Sequence, residues 1–229
     1  MTGEHAHGAP PAMAPPPGVP SWRLLVTLGL AGAISGGLIA MVYGATLPRI
    51  DAYRGARAES VVREVLKAPA RLDTLYLIDG ALTKEVAAGA DLRRVERTFL
   101  GFDDSGKLVG AAVTAGEPGF ADVITLIFGL DPTTGALIGM KILGHKETPG
   151  LGDKIEKPPF TEQFNGAETP LRSVKRNPEL PGDVQTVTGA TISSRTVVRT
   201  INNATAKWRP LLQAYLQAYL QADVQRGAK

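Results

Sequence analysis

The segment from Leu24 to Pro48 constrains the fold most, because it runs for 25 residues without a charged side chain. As an α-helix rising about 1.5 Å per residue, it spans roughly 37 Å, more than the ~30 Å hydrocarbon core of a bilayer. Trp22 and Tyr43 are residue types that favour the two membrane interfaces. The sequence therefore predicts one transmembrane helix over residues 22–48.

Two features of this segment leave alternatives open. Gly44 and Ala45 are small enough for a signal-peptide cleavage site, although the apolar part of a signal peptide is usually only about 7–15 residues long. Gly32 and Gly36 form a GxxxG pair, which lets a second helix approach closely in lipid, but glycine is also common in membrane helices generally. We favour an uncleaved anchor that has a membrane partner.

The charges that flank the segment do not decide its orientation. Arg23 precedes it, whereas the residues that follow it are richer in arginine and lysine, which favours a cytoplasmic C-terminal part. Long domains are translocated largely regardless of such charges, so this rule leaves the orientation open.

The rest of the chain has the composition of a folded domain with flanking segments. The absence of cysteine excludes disulfides, thiolate metal sites and thiol catalysis. A net charge of +3 without a basic block argues against a nucleic-acid partner. Residues 1–21 are rich in proline and alanine and predict a disordered tail, whereas residues 49–70 predict an amphipathic juxtamembrane helix that Pro69 ends.

Residues 71–209 carry the pattern of an α+β domain. Short apolar runs separated by turn residues such as Asp103–Gly106 and Asp131–Gly135 predict hairpins, and hence a mostly antiparallel sheet with flanking helices. The predicted strands cover residues 72–78, 95–102, 108–114, 123–130 and 136–143.

After residue 191 the apolar period becomes helical, and one stripe is formed by Val197, Ile201, Ala204, Trp208 and Leu211. Proline lacks an amide hydrogen, so residue 210 should kink or break this helix. We interpret residues 210–229, which contain a near-repeat of Gln-Ala-Tyr-Leu, as a C-terminal helical extension.

Two segments have compositions unlike ordinary connections. Thr188–Ser194 places small and hydroxyl residues at the start of the last helix, where unpaired amides bind phosphate or accept an ordinary cap. His145–Lys154 follows a strand, and its glycines and proline predict either a rigid turn or one wall of a ligand site. His145 has no companion ligand, so we assign it a structural role and predict no metal site.

On these two segments, and on Gly119-Phe120, the chain resembles the FMN-binding domain family. The likeness is specifically to its members that serve as the G subunit of Rnf-type membrane electron-transport complexes. The family motif reads Ser/Thr-Gly-Ala-Thr-x-Ser/Thr, and its second hydroxyl residue carries FMN through a phosphoester. The resemblance therefore implies a covalent phosphoester at Thr191 and no separate catalytic residue. It also implies that the following residues bind the cofactor: Thr188, Gly189, Ala190, Ser193, Ser194, Glu147, Thr148, Gly150, Leu151, Gly152 and Phe120. An acidic residue of the wider motif is replaced here by Gln185, with Asp183 two residues earlier.

The same resemblance implies a function. It predicts an electron-relay subunit in a complex that couples electron transfer between ferredoxin and NAD to Na⁺ or H⁺ translocation. The implied partners are other membrane and iron–sulfur subunits, and a flavin transferase for maturation. It implies a single pass through the inner (cytoplasmic) membrane with the FMN domain on the periplasmic side. The alternatives are the flavin subunit of a Na⁺-pumping NADH:quinone reductase, a stand-alone FMN relay, or a membrane-anchored assembly module without redox chemistry.

Overall fold

The computed structural model describes residues 20–85 and 95–227, so residues 1–19 of the predicted tail lie outside the described residues. The chain divides into two units, one up to Arg54 and one from Gly55 onward. The first unit contains most of helix α1 (Ser21–Val65), which spans the predicted transmembrane helix and continues through the predicted juxtamembrane helix as far as Val65, four residues before Pro69. Residues Ser21–Leu47 are long and apolar enough to cross a membrane, as judged by length and composition.

The second unit is built on a six-stranded antiparallel sheet with the order β2-β1-β3-β4-β5-β6. This arrangement confirms the predicted α+β class and the mostly antiparallel sheet. The predicted strands are present with small shifts at their ends, and the longest, β4, extends four residues beyond its prediction. The strands are β1 (Arg71–Ile78), β2 (Ala81–Thr83), β3 (Arg97–Phe102), β4 (Leu108–Pro118), β5 (Val123–Leu130) and β6 (Leu137–Gly144).

Short elements that the sequence pattern did not predict complete the unit. Strand β2 and the parallel pair β7 (Arg172–Val174) and β8 (Asp183–Gln185) have only three residues each, too few to show an alternation. Between β6 and β7, the 3₁₀ helix Gly152–Glu156, the helix α2 (Pro158–Thr161) and the 3₁₀ helix Glu162–Phe164 follow one another.

The long helix α3 (Thr191–Gly227) packs on one face of the sheet. The predicted stripe is buried as far as Trp208, but the next buried position is Leu212, whereas the predicted Leu211 is only partly buried. Pro210 lies inside the helix and does not break it, so the break that was predicted as an alternative to a kink is wrong. Trp208 and Leu212, one on each side of the proline, are both anchored in the core, and this packing outweighs one lost hydrogen bond.

Candidate functional site

A cavity of about 370 Å³ lies at the start of α3, which is within the ~300–1,000 Å³ typical of small-molecule sites. Three segments distant in sequence form its walls: the turn between β4 and β5, the loop after β6, and the first turn of α3 with the residues before it. Its lining residues are Phe120, Glu147, Thr148, Leu151, Gly152, Gly189, Ala190, Thr191, Ile192 and Ser193.

The turn that precedes α3 is held by one buried hydroxyl. Ser194 Oγ donates to the Ala190 carbonyl at 2.9 Å and accepts the Val187 amide at 3.0 Å. Gly189 has φ +85°, a left-handed conformation that favours glycine, and a Cβ there would meet the Leu151 side chain at 3.0 Å. The small residues of the motif thus let the loop wall approach the helix start.

The hydroxyl residues of the motif have different surroundings. Ser193 is buried and donates to Glu147 Oε2 at 2.6 Å, and Ser194 is committed to the backbone. Thr188 is exposed and does not line the cavity. The Thr191 hydroxyl belongs to a cavity-lining residue and makes no hydrogen bond with any part of the chain that the structure describes. Thr191 is therefore the motif residue that lines the cavity with its hydroxyl unpaired among the described residues.

Glu147 joins all three walls of the cavity. Its Oε1 accepts the amides of Phe120 at 2.9 Å and Ala121 at 3.1 Å, while Oε2 accepts the Ser193 hydroxyl. Burial raises the pKa of this carboxyl, but the hydrogen bonds from Ser193, Ala121 and Phe120 outweigh burial and bring the pKa below its ordinary value. Glu147 is thus an ionised carboxylate that the protein itself satisfies with three donors.

The loop after β6 is ordered by hydrogen bonds within the loop, from both backbone and side chain. His145 Nδ1 accepts the Glu147 amide at 3.1 Å, and His145 Nε2 lies 3.4 Å from Glu156 Oε2, which is the structural role expected for this histidine. The Thr148 carbonyl accepts the amides of Leu151 at 3.2 Å and Gly152 at 2.9 Å. Gly150, with φ +75°, allows this turn but does not line the cavity.

The turn between β4 and β5 is held by α3 further along the helix. The Pro118 carbonyl accepts hydrogen bonds from Thr196 Oγ1 and Arg199 Nη2, both at 3.2 Å. A Cβ on Gly119 would overlap Glu147 Oε1, so only glycine fits beside the carboxylate. These contacts fix the position of the Phe120 amide that binds Glu147.

Apolar side chains form the exposed part of the cavity wall. Phe120 is 66%, Ile192 55% and Leu151 46% exposed, and exposed apolar surface gathered around one cavity marks an interaction site. Ile192 was missed by the sequence analysis, although its position off the apolar stripe of α3 is a usable signal. Among the described residues that line the cavity, none is lysine, arginine or histidine.

Neither Gln185 nor Asp183 lines the cavity. The Gln185 amide donates to Gln163 Oε1 at 2.7 Å, which ties β8 to the 3₁₀ helix Glu162–Phe164. Asp183 pairs with Arg172 at 2.9 Å and also accepts the amides of Glu179 and Leu180. The Arg172 hydrogen bond, with those amides, lowers the pKa of Asp183 to about 2. Both residues support the β7–β8 pair.

Comparisons with known proteins agree with this geometry. Residues 119–206 match the family model of the FMN-binding domain, and this range contains every cavity-lining residue. The structure is similar to the crystal structure of Shewanella oneidensis NqrC, with a TM-score of 0.53, 20% identity, and coverage of 66% of this chain and 88% of that one. It is similarly close to the C subunit of the Na⁺-translocating NADH-quinone reductase of Parabacteroides distasonis, with a TM-score of 0.51 and 20% identity over 69% and 83% of the two chains. The fold and the cavity define an FMN-binding domain.

Curated relatives narrow the class from FMN-binding domains in general to one kind of complex subunit. The G subunit of the ion-translocating oxidoreductase complex of Vibrio vulnificus is 30% identical over 78% of this chain and 84% of its own length. The corresponding G subunits of Salmonella typhi, at 32% identity over 78% and 86%, and of Methanosarcina acetivorans, at 28% over 80% and 91%, are similar along comparable lengths. The chain belongs to the family of G subunits of ion-translocating oxidoreductase complexes.

Proposed function

We propose that this chain is an electron-relay subunit of a membrane complex that couples redox chemistry to ion translocation, and that it carries FMN covalently at Thr191. The attachment site is supported best by the difference in hydrogen-bond partners among the hydroxyls of the motif. Ser193 and Ser194 are occupied by Glu147 and by the backbone, whereas the Thr191 hydroxyl belongs to a cavity-lining residue and has no partner among the described residues.

The residues present fit this cofactor. The phosphate of FMN would be held beside the first amides of α3, where the helix dipole and unpaired N–H groups favour an anion. Phe120, Leu151 and Ile192 supply exposed apolar surface for a flat aromatic ring. Gly189 and Gly152 keep side-chain bulk out of the cavity wall.

When bound, FMN supplies one- and two-electron redox chemistry. The protein holds the cofactor, orients it and sets its electrostatic surroundings. Thr191 serves only as the attachment point, through a phosphoester at its Oγ1. A covalent bond would keep the cofactor on the domain on the outer side of the membrane, where free FMN is not replenished.

The relatives support our proposal for the partners and the membrane location of the protein. The homologous G subunits belong to ion-translocating oxidoreductase complexes, so we assign this chain membrane and iron–sulfur subunits as partners. We further propose that residues 22–48 anchor it once in the cytoplasmic membrane. The FMN domain then lies on the periplasmic side, where a flavin transferase modifies it, and the complex exchanges electrons between ferredoxin and NAD while it moves Na⁺ or H⁺.

Mass analysis of the full-length chain purified from its native membrane tests the attachment. We expect the denatured protein to be heavier by FMN minus one water, with the adduct on the peptide that contains Thr191. Thr191→Val should abolish the adduct, whereas Thr191→Ser, which keeps a hydroxyl, should retain it. Covalent flavin on the Thr191→Val protein would contradict the assignment.

Co-purification tests the complex. Ferredoxin-type iron–sulfur subunits that purify with the chain would support the proposed complex, whereas a quinone-reducing set of subunits would support the Na⁺-pumping alternative. A colourless, unmodified chain from native membranes would leave only an anchored module without redox chemistry.

A further inference from the structure

The cavity combines a buried negative charge with the absence of any cationic side chain among its described lining residues. Glu147 is only 5% exposed, and its carboxylate is balanced by one hydroxyl and two backbone amides rather than by a lysine or arginine. Neutral donors stabilise a carboxylate without cancelling its charge. Glu147 therefore carries the one formal charge among the described side chains that line the cavity.

We infer that the Glu147 carboxylate lowers the reduction potential of the flavin held in this cavity, so that the relay operates at a low potential. This inference rests on the proposed function. Each electron that enters the ring adds negative charge, and a fixed negative charge in a site of low dielectric constant disfavours that step. The same carboxylate also positions the site, because it ties the turn at Phe120 to the first turn of α3.

The two roles of Glu147 can be separated by a conservative substitution. In Glu147→Gln the amide oxygen can still accept the Phe120 and Ala121 amides, and its NH₂ group can donate to Ser193 Oγ. This variant removes the charge and keeps the contacts. Ser193→Ala does the opposite, because it keeps the charge and removes the one hydroxyl that partly balances it.

The experiment is spectroelectrochemical titration of the bound flavin in the purified full-length protein at pH 8, for wild type and both variants. Only chains that carry flavin contribute to the signal. We expect Glu147→Gln to shift the ratio of oxidised to reduced flavin about tenfold toward the reduced form at a given potential, or about +30 mV for a two-electron couple. Ser193→Ala should shift the potential in the opposite direction. A merely structural role would not produce shifts of opposite sign.

Glu162→Gln is the matched control, because Glu162 is exposed and does not line the cavity. It should leave the potential unchanged, and a shift equal to that of Glu147→Gln would overturn the inference in favour of a general charge effect. An unchanged or lowered potential in flavin-loaded Glu147→Gln would also overturn it. If Glu147→Gln carries no flavin, the sign of the Ser193→Ala shift decides alone. A wild-type chain without flavin would instead refute the proposed function.

Discussion

The two faces of the six-stranded sheet differ in how far glycines contribute to the surface on which a helix packs. The face under α3 presents large side chains such as Leu100, Ile124 and Phe128, all almost completely buried. The other face carries glycines beside Ala112 and Ile127. Val62 and Val65, at the end of α1 within the second unit, and Leu66, directly after it, pack against this face. The glycines whose added Cβ would meet Val65 or Leu66 are Gly101, Gly129 and Gly139.

This difference shows two ways to bring a helix onto a sheet. Large side chains interdigitate and hold α3 along most of its packed length. This packing fixes the position of the first turn of α3, where the cavity lies. Glycines instead let the backbone of the partner helix approach closely, as at Gly129, where a Cβ would lie 3.1 Å from the Val65 carbonyl. The α3 face positions the site, and the glycine face accommodates the end of α1.

The largest effect is expected on the α3 face. Phe128→Ala should lower the free energy of unfolding by about 3–5 kcal/mol, because it removes a fully buried ring and leaves a cavity. Urea unfolding of the full-length chain in detergent, followed by Trp208 fluorescence in a Trp22→Phe background, measures this loss. Phe128→Leu is the control, and an equal loss from both variants would contradict close packing on this face.

A somewhat smaller effect is expected on the glycine face. Leu66→Ala should cost about 2–5 kcal/mol, because Leu66 is fully buried against the sheet. The same unfolding measurement applies, together with the mass of the flavin adduct. The folded variant should keep its flavin, since the site is built on the opposite side of the sheet. Loss of flavin from folded Leu66→Ala protein would show that the two faces are coupled.

Adding one methyl group to the glycine face should lower the free energy of unfolding by a smaller amount. In Gly129→Ala the new Cβ would lie 3.0 Å from Leu66 Cδ2, and such overpacking typically costs about 1–3 kcal/mol. Gly144→Ala is a matched control at the end of β6, because a Cβ there meets nothing within 4 Å. Equal unfolding midpoints for the two variants would argue against a close approach of α1.

The smallest effect is expected on the stability of the fold at acidic pH. It concerns a residue on the α3 side of the sheet. The lowered pKa of Asp183, about 2 against an ordinary 3.8, stabilises the fold above pH 4 and ceases to do so as the pH falls toward 2. The pKa of the Glu147 carboxyl is also lowered, so this group likewise stabilises the fold less as the pH falls. Asp183→Asn should therefore weaken the dependence of the thermal unfolding midpoint on pH between 4 and 2. An unchanged pH profile would contradict this role.

Much of the fold followed from patterns within short windows of sequence. The uncharged run predicted the N-terminal helix, and short apolar runs bounded by turn residues predicted all the longer strands, because both signals lie within a few neighbouring residues. The continuation of α3 through Pro210 was not predictable in this way. It depends on the burial of Trp208 and Leu212 against strands far away in sequence.

The candidate site likewise combines features that the sequence predicted with features that only the structure showed. The resemblance to a known motif singled out Thr191, and the assignment of FMN to it stays a proposal, while Ile192 was missed. Only the tertiary structure distinguished the hydroxyls, since Ser193 meets a carboxylate 46 residues away.

The sequence by itself determined the membrane-length helix, the antiparallel α+β class and the two unusual segments, since these depend on neighbours within one turn or one strand. The tertiary structure decided that Glu147 joins three segments and that glycines receive the end of α1. It also decided which hydroxyl beside the cavity has no partner among the described residues. The physical reason is that hydrogen-bond partners and close approaches are chosen by the packing of the whole domain, which no local window contains.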